Sequence, residues 1–262
     1  MLAIVAGQGA LPRALTSTLD TKPLVVSLDG FPPDDLVPDL TFRIEHLGSL
    51  LDQLQVRGVT DVCFAGAIRR PPIDPAQIDA ATMPLVPKMM TAIQSGDDAA
   101  LRTVLEIFGE AGFAVKAAQE ISPSLLPEAG SLTNRKPDRD WAEEAIRGSE
   151  AIEAIGRADI GQSCVVHMGQ VLALEGSFGT DWMLDSLANR PDDGGGLLFK
   201  APKPGQDRSI DLPVIGPETV ARAARAKLDG IAIEHQGVMV LDQKATIEAA
   251  DKAGLFIWVR RP

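Results

Sequence analysis

The sequence predicts an α/β protein with an N-terminal Rossmann-like domain built on a parallel sheet, followed by a C-terminal α/β domain. Three observations carry this reading. Through residues 1–118, short apolar runs alternate with longer amphipathic stretches, the pattern of buried strands covered by helices. Residues 119–137 hold Ser122-Pro-Ser, Pro127-Glu-Ala-Gly130 and Lys136-Pro137, a turn-rich connector of the kind that separates domains. From residue 138 to 262 the order helix, strand, turn, strand, helix, strand is read twice, which suggests a duplicated unit.

Each element has its own signal. Leu2–Ala6 is a short apolar strand, followed by Gly7-Gln-Gly9 and a helix from Leu11 to Leu19. Pro23–Leu28 and Thr41–His46 read as strands. A helix over Gly48–Arg57 places Leu47, Leu50, Leu51 and Leu54 on one face, at helical spacing. Asp61–Ala65 is a further buried strand, helices cover Leu85–Gln94 and Asp97–Glu110, and Phe113–Ala117 closes the domain as a strand. In the second half, a helix over Asp138–Gly156 leads into a hairpin at Cys164–Glu175, a helix at Thr180–Ala188 and a strand at Leu197–Lys200. The echo is a helix over Glu218–Leu228, a hairpin at Ile231–Asp242, a helix at Lys244–Ala253 and a strand at Leu255–Val259.

Composition narrows the functional classes. The chain has 262 residues, 45% hydrophobic and 23% charged, with a formal net charge of −11. Nucleic acid is excluded as a partner, because nonspecific binding needs a basic surface. Cys63 and Cys164 lie apart in apolar runs and read as small core residues. The opening Met1-Leu-Ala-Ile-Val-Ala is too short for a signal peptide. No apolar run approaches the roughly 20 residues of a membrane span. The expectation is a soluble, cytoplasmic protein.

Several chemistries lack their residues. His46, His167 and His235 do not pair at metal-ligand spacing, and no H-E-x-x-H, G-x-S-x-G or P-loop pattern occurs. Gly7-Gln-Gly9 sits where the first strand meets the first helix, a place where backbone N–H groups cradle phosphate. Pro12 occupies the third glycine position of the dinucleotide fingerprint, while Asp29 falls where a ribose-binding acid would. Arg69 follows the strand at 61–65, at its carboxyl end.

The densest polar cluster is Lys200-Ala-Pro-Lys-Pro-Gly-Gln-Asp-Arg-Ser-Ile-Asp-Leu-Pro-Val-Ile-Gly216. Its prolines preclude an ordinary helix. Lys200, Lys203, Gln206 and Arg208 are groups that hold phosphate, set against the global negative charge. Asp181, Asp207 and Asp211 are carboxylates of the type that bind Mg²⁺ or Mn²⁺ together with phosphate oxygens. Asp181 reads equally as a first-turn acid of a helix. Asp211 lies between Ile210 and Leu212, where an acid needs a partner, and is the leading catalytic candidate.

Ala6-Gly-Gln-Gly-Ala-Leu-Pro12, Phe64-Ala-Gly-Ala-Ile-Arg-Arg-Pro71, Asp159-Ile-Gly-Gln162, Gly179-Thr-Asp181 and the 200–216 block resemble one family across nearly the whole chain. It is the UDP-2,3-diacylglucosamine pyrophosphatase family of lipid A biosynthesis, in the form unrelated to metallophosphoesterases. The resemblance implies Mg²⁺-assisted hydrolysis of a lipid-linked UDP-sugar to UMP and 2,3-diacylglucosamine 1-phosphate (lipid X), with attack at the β-phosphorus. It implies a homodimer of two-domain chains with ligand held between the domains, and Asp211 as the essential aspartate. Such a lipid substrate implies transient contact with the cytoplasmic leaflet of the inner membrane. One departure is visible, Gln8 in place of the middle glycine of the first turn. Two other readings stay open: a nicotinamide-dependent oxidoreductase resting on Gly7, Gly9 and Asp29, and a nonenzymatic nucleotide- or lipid-binding protein.

Overall fold

The structure is a computed structural model that describes residues 1–68, 71–94, 97–138, 140–206 and 212–262. They form two compact units, Met1–Ser122 and Pro123–Pro262.

The first unit contains β1 (Leu2–Ala6), α1 (Leu11–Ser17), β2 (Leu24–Leu28), β3 (Leu40–Phe42), α2 (Leu47–Val56), β4 (Asp61–Ala65), α3 (Val86–Gln94), α4 (Asp97–Glu110), β5 (Ala114–Val115) and α5 (Ala118–Ile121). All strands are parallel, in the order β3-β2-β1-β4-β5. Strands buried on both faces need continuous apolar runs rather than alternation, and Ala3, Ile4, Val5 and Ala6 of β1 are all buried. Leu47, Leu50, Leu51 and Leu54 of α2 join Val5, Val62 and Phe108 in the core. The expected strand at Thr41–His46 is shorter. After β3 the chain turns at Ile44–His46, because the Glu45 carboxylate faces inward to accept from Arg43 and from the Asp74 N–H. Those donors hold its carboxyl down at about 2, the Arg43 hydrogen bond contributing most.

The second unit contains β6 (Gly130–Ser131), α6 (Asp140–Arg157), β7 (Ser163–His167), β8 (Gln170–Leu174), α7 (Gly179–Ser186), β9 (Leu197–Lys200), β10 (Val214–Ile215), α8 (Pro217–Arg225), β11 (Gly230–Glu234), β12 (Met239–Val240), α9 (Gln243–Ala253) and β13 (Phe256–Arg260). The main sheet runs β6-β13-β11-β9-β7-β8. Its strands β9, β11 and β13 are parallel, while β6, β7 and β8 each pair antiparallel. The expected connector is divided: residues 119–121 lie in α5, and β6 adds an edge strand beside β13. Arg135 fixes that strand's exit, donating to the carbonyls of Asp229 and Gly254.

The element order of the proposed duplication recurs, but its strand pairing does not. The first hairpin is real: β7 and β8 are joined by Met168-Gly169, both at positive φ, as a tight two-residue hairpin turn requires. The expected hairpin at 231–242 does not form. β12 pairs instead with β10, in a separate two-stranded parallel ladder. The Met239 and Leu241 N–H groups donate to Pro213 and Ile215, so the ladder bonds of β12 are satisfied away from β11. Among the described residues no helix is long and apolar enough to cross a membrane.

Candidate functional site

Ligands of open α/β sheets bind beyond the carboxyl ends of parallel strands, at the point where strand order reverses. In the first unit that point lies between β1 and β4, and the loops leaving these strands interlock. Gln8 and Ala67 exchange two backbone hydrogen bonds of 2.8 and 2.9 Å. A side chain at Gly7 would place Cβ 2.5 Å from the Ala67 carbonyl oxygen. One at Gly66, whose φ is +89°, would sit 2.6 Å from the Gln8 oxygen. These two glycines therefore serve loop-to-loop contact. The Gly9 N–H donates to the Asp34 carboxylate at 2.8 Å, so an anionic ligand at this turn competes with an internal carboxylate. Arg69 lies outside the described residues.

In the second unit, Lys200 ends β9, the parallel strand that borders the antiparallel β7, and is only 6% exposed. A buried ammonium needs hydrogen-bonding partners. Its Nζ donates to Thr180 Oγ1 at 2.8 Å, and Thr180 Oγ1 donates to Glu175 Oε2 at 2.8 Å. Ser163, paired with Lys200 across the β7–β9 ladder, donates to the same carboxylate oxygen at 2.5 Å. Thr180 enters from the first turn of α7, and Glu175 from the residue after β8. Four segments thus converge on one buried polar cluster. Reading along the chain missed Glu175, Thr180 and Ser163 as a set. The signal for Glu175 was an acid closing an apolar strand, and for Thr180 its place beside Asp181.

Beyond Lys200 the chain forms a braced turn. The Lys203 N–H donates to Gln206 Oε1 at 3.0 Å, and the Gln206 N–H returns to the Lys203 carbonyl at 3.1 Å. Lys203 Nζ donates to Asp159 Oδ1 at 2.5 Å. Gly156 lets this turn approach α6, since a Cβ there would lie 2.5 Å from Pro204 Cδ. The structure thus brings Lys200, Lys203 and Gln206 into one ordered stretch. Asp207, Arg208 and Asp211 lie outside the described residues.

Asp181 is a first-turn acid of α7, and its Oδ2 lies 3.2 Å from Arg222 Nε on α8. Arg222 also pairs with Asp185, so the carboxylates of α7 bind this helix pair together. Among the described residues, no three His, Cys, Asp or Glu side chains are arranged to hold a metal ion. Burial pushes the thiols of Cys63 and Cys164 up to about 12, which suits core residues and disfavours a thiolate nucleophile.

Fold and site together define a two-domain α/β protein with basic side chains gathered where strand β9 of its second unit ends. The LpxI N-terminal domain matches residues 1–125 and the LpxI C-terminal domain residues 128–258. The chain belongs to the LpxI family. It is 37% identical over 268 residues to the UDP-2,3-diacylglucosamine pyrophosphatase LpxI of Caulobacter vibrioides, a match spanning 98% of this chain and 96% of that protein.

Proposed function

We propose that this protein hydrolyses the pyrophosphate of UDP-2,3-diacylglucosamine, releasing UMP and 2,3-diacylglucosamine 1-phosphate in lipid A biosynthesis. The observation that carries the proposal is the near full-length likeness to a relative named for that activity. The buried, hydroxyl-anchored Lys200 at the carboxyl end of β9 supports it chemically. In the reaction water forms a bond to one phosphorus, the bridging P–O bond breaks, and its electron pair leaves on the other phosphate. A fixed cation beside the phosphoryl oxygens stabilises the charge that develops there.

In the second unit we assign Lys200, Lys203, Gln206 and Arg208 to the pyrophosphate and Asp211 to the catalytic carboxylate. In the first unit, Gly7, Gly9 and Arg69 are assigned to the substrate. Mg²⁺, replaceable by Mn²⁺, would neutralise phosphoryl oxygens, with Asp211, Asp207 and Asp181 as its proposed carboxylates. For Asp181 this role requires release from Arg222. We further propose a homodimer working in the cytoplasm at the inner-membrane surface, where a diacylated substrate resides.

Incubation with UDP-2,3-diacylglucosamine and Mg²⁺ tests the reading. UMP is expected from the wild type and not from Asp211→Ala. Turnover by Asp211→Ala at the wild-type rate would overturn that assignment, and no UMP from the wild type would overturn the function. In ¹⁸O-water, label in the sugar 1-phosphate reports attack at the β-phosphorus and label in UMP attack at the α-phosphorus.

A further inference from the structure

Lys200 and Glu175 bring opposite charges to the same buried region, with Thr180 Oγ1 between them. An ammonium can only donate and an ionised carboxylate can only accept, which fixes the order as ammonium to hydroxyl to carboxylate. Ser163 orients the receiving end by donating to the same Glu175 oxygen. Glu175 is itself backed by close main-chain packing, because a Cβ at Gly161 would lie 2.3 Å from the Glu175 carbonyl oxygen. The result is a rigid, mostly buried bracket at one end of a side chain that otherwise has a flexible four-carbon stem.

We propose that Thr180 and Glu175 are positioning residues that hold the Lys200 ammonium in place for a phosphoryl oxygen of the substrate. The proposal rests on the pyrophosphatase reading above. Its physical content is preorganisation: a lysine already fixed needs little reorganisation as phosphoryl charge develops. A misplacement of about 1 Å in such a group is worth up to about a hundredfold in rate.

Thr180→Val removes the hydroxyl at nearly constant shape. It is expected to lower kcat on UDP-2,3-diacylglucosamine by at least about tenfold, while Thr180→Ser, which restores the hydroxyl, stays within about threefold of wild type. Glu175→Gln removes the charge at constant volume and is expected to fall by at least about tenfold as well. Circular dichroism and thermal melts accompany each variant. If Thr180→Val does not fold, Glu175→Gln and Thr180→Ser carry the test.

A purely structural cluster lowers Tm and leaves kcat and KM of the folded variants within about threefold of wild type. That result, with an active wild type, overturns the positioning role alone. Thr180→Ser as impaired as Thr180→Val overturns it too. A wild type that releases no UMP overturns the pyrophosphatase reading, and the positioning role falls with it.

Discussion

Gly66 and Gly9 offer a paired test of the loop junction at the carboxyl ends of β1 and β4. Both have positive φ, +89° and +95°, so alanine at either carries backbone strain of about 1–2 kcal/mol. Their surroundings differ. A Cβ at Gly66 would lie 2.6 Å from the Gln8 oxygen and 2.8 Å from the Gly7 carbonyl carbon, both main chain, whereas a Cβ at Gly9 meets nothing within 4 Å. Main-chain overlap adds about 1–3 kcal/mol. Gly66→Ala is therefore expected to lose about 3 kcal/mol and Gly9→Ala about 1 kcal/mol.

With a urea slope of about 2 kcal/mol per molar, these losses move the midpoint by about 1.5 M and about 0.5 M. Trp141, Trp182 and Trp258 all belong to the second unit. In urea melts tryptophan fluorescence therefore follows the second unit and far-UV circular dichroism follows both, so a loss in the first unit shifts part of the circular dichroism transition and leaves the fluorescence transition in place. Equal midpoint shifts for the two variants, or a Gly66→Ala loss below about 1 kcal/mol, would refute the close-approach reasoning.

Glu45→Gln tests the inward carboxylate, whose pKa is lowered from 4.5 to about 2. That displacement corresponds to about 3.4 kcal/mol, reduced to about 1–2 kcal/mol by water around the half-exposed Arg43. A depressed carboxyl stabilises the fold above its unfolded pKa, so urea melts should favour the wild type at pH 7. The gap should close between pH 4.5 and about 2; a gap unchanged at pH 2 would contradict the assignment. Gly156→Ala gains about 1 kcal/mol of helix propensity and meets Pro204 Cδ at 2.5 Å. Because the far atoms belong to the Lys203–Gln206 turn, kcat/KM should fall about tenfold with Tm changed by only a few degrees, measured by UMP release and a thermal melt.

The parts of the fold legible in sequence are those governed by local periodicity. Leu2–Ala6, Asp61–Ala65 and Leu197–Lys200 are the same segments in the apolar pattern and in the sheet. A run buried on both faces needs apolar residues at every position. The leucines of α2 were legible for the equivalent reason at helical spacing. The segment 231–242 was misread because Gly237 between two apolar runs looks like a hairpin turn. Which strand takes the ladder bonds of β12 depends on β10, more than twenty residues earlier.

The sequence by itself determined a parallel sheet in the first half, an α/β second half, the basic stretch from Lys200 to Arg208 and the family resemblance those motifs carry. Each rests on residue type and short-range spacing. Only the tertiary structure decided that Gly7 and Gly66, 59 positions apart, exist for one another. It likewise brought Ser163, Glu175 and Thr180 around Lys200. The physical reason is the same in both cases. A buried charge and a close main-chain contact are satisfied by whatever the fold places beside them, and local pattern does not encode that neighbour.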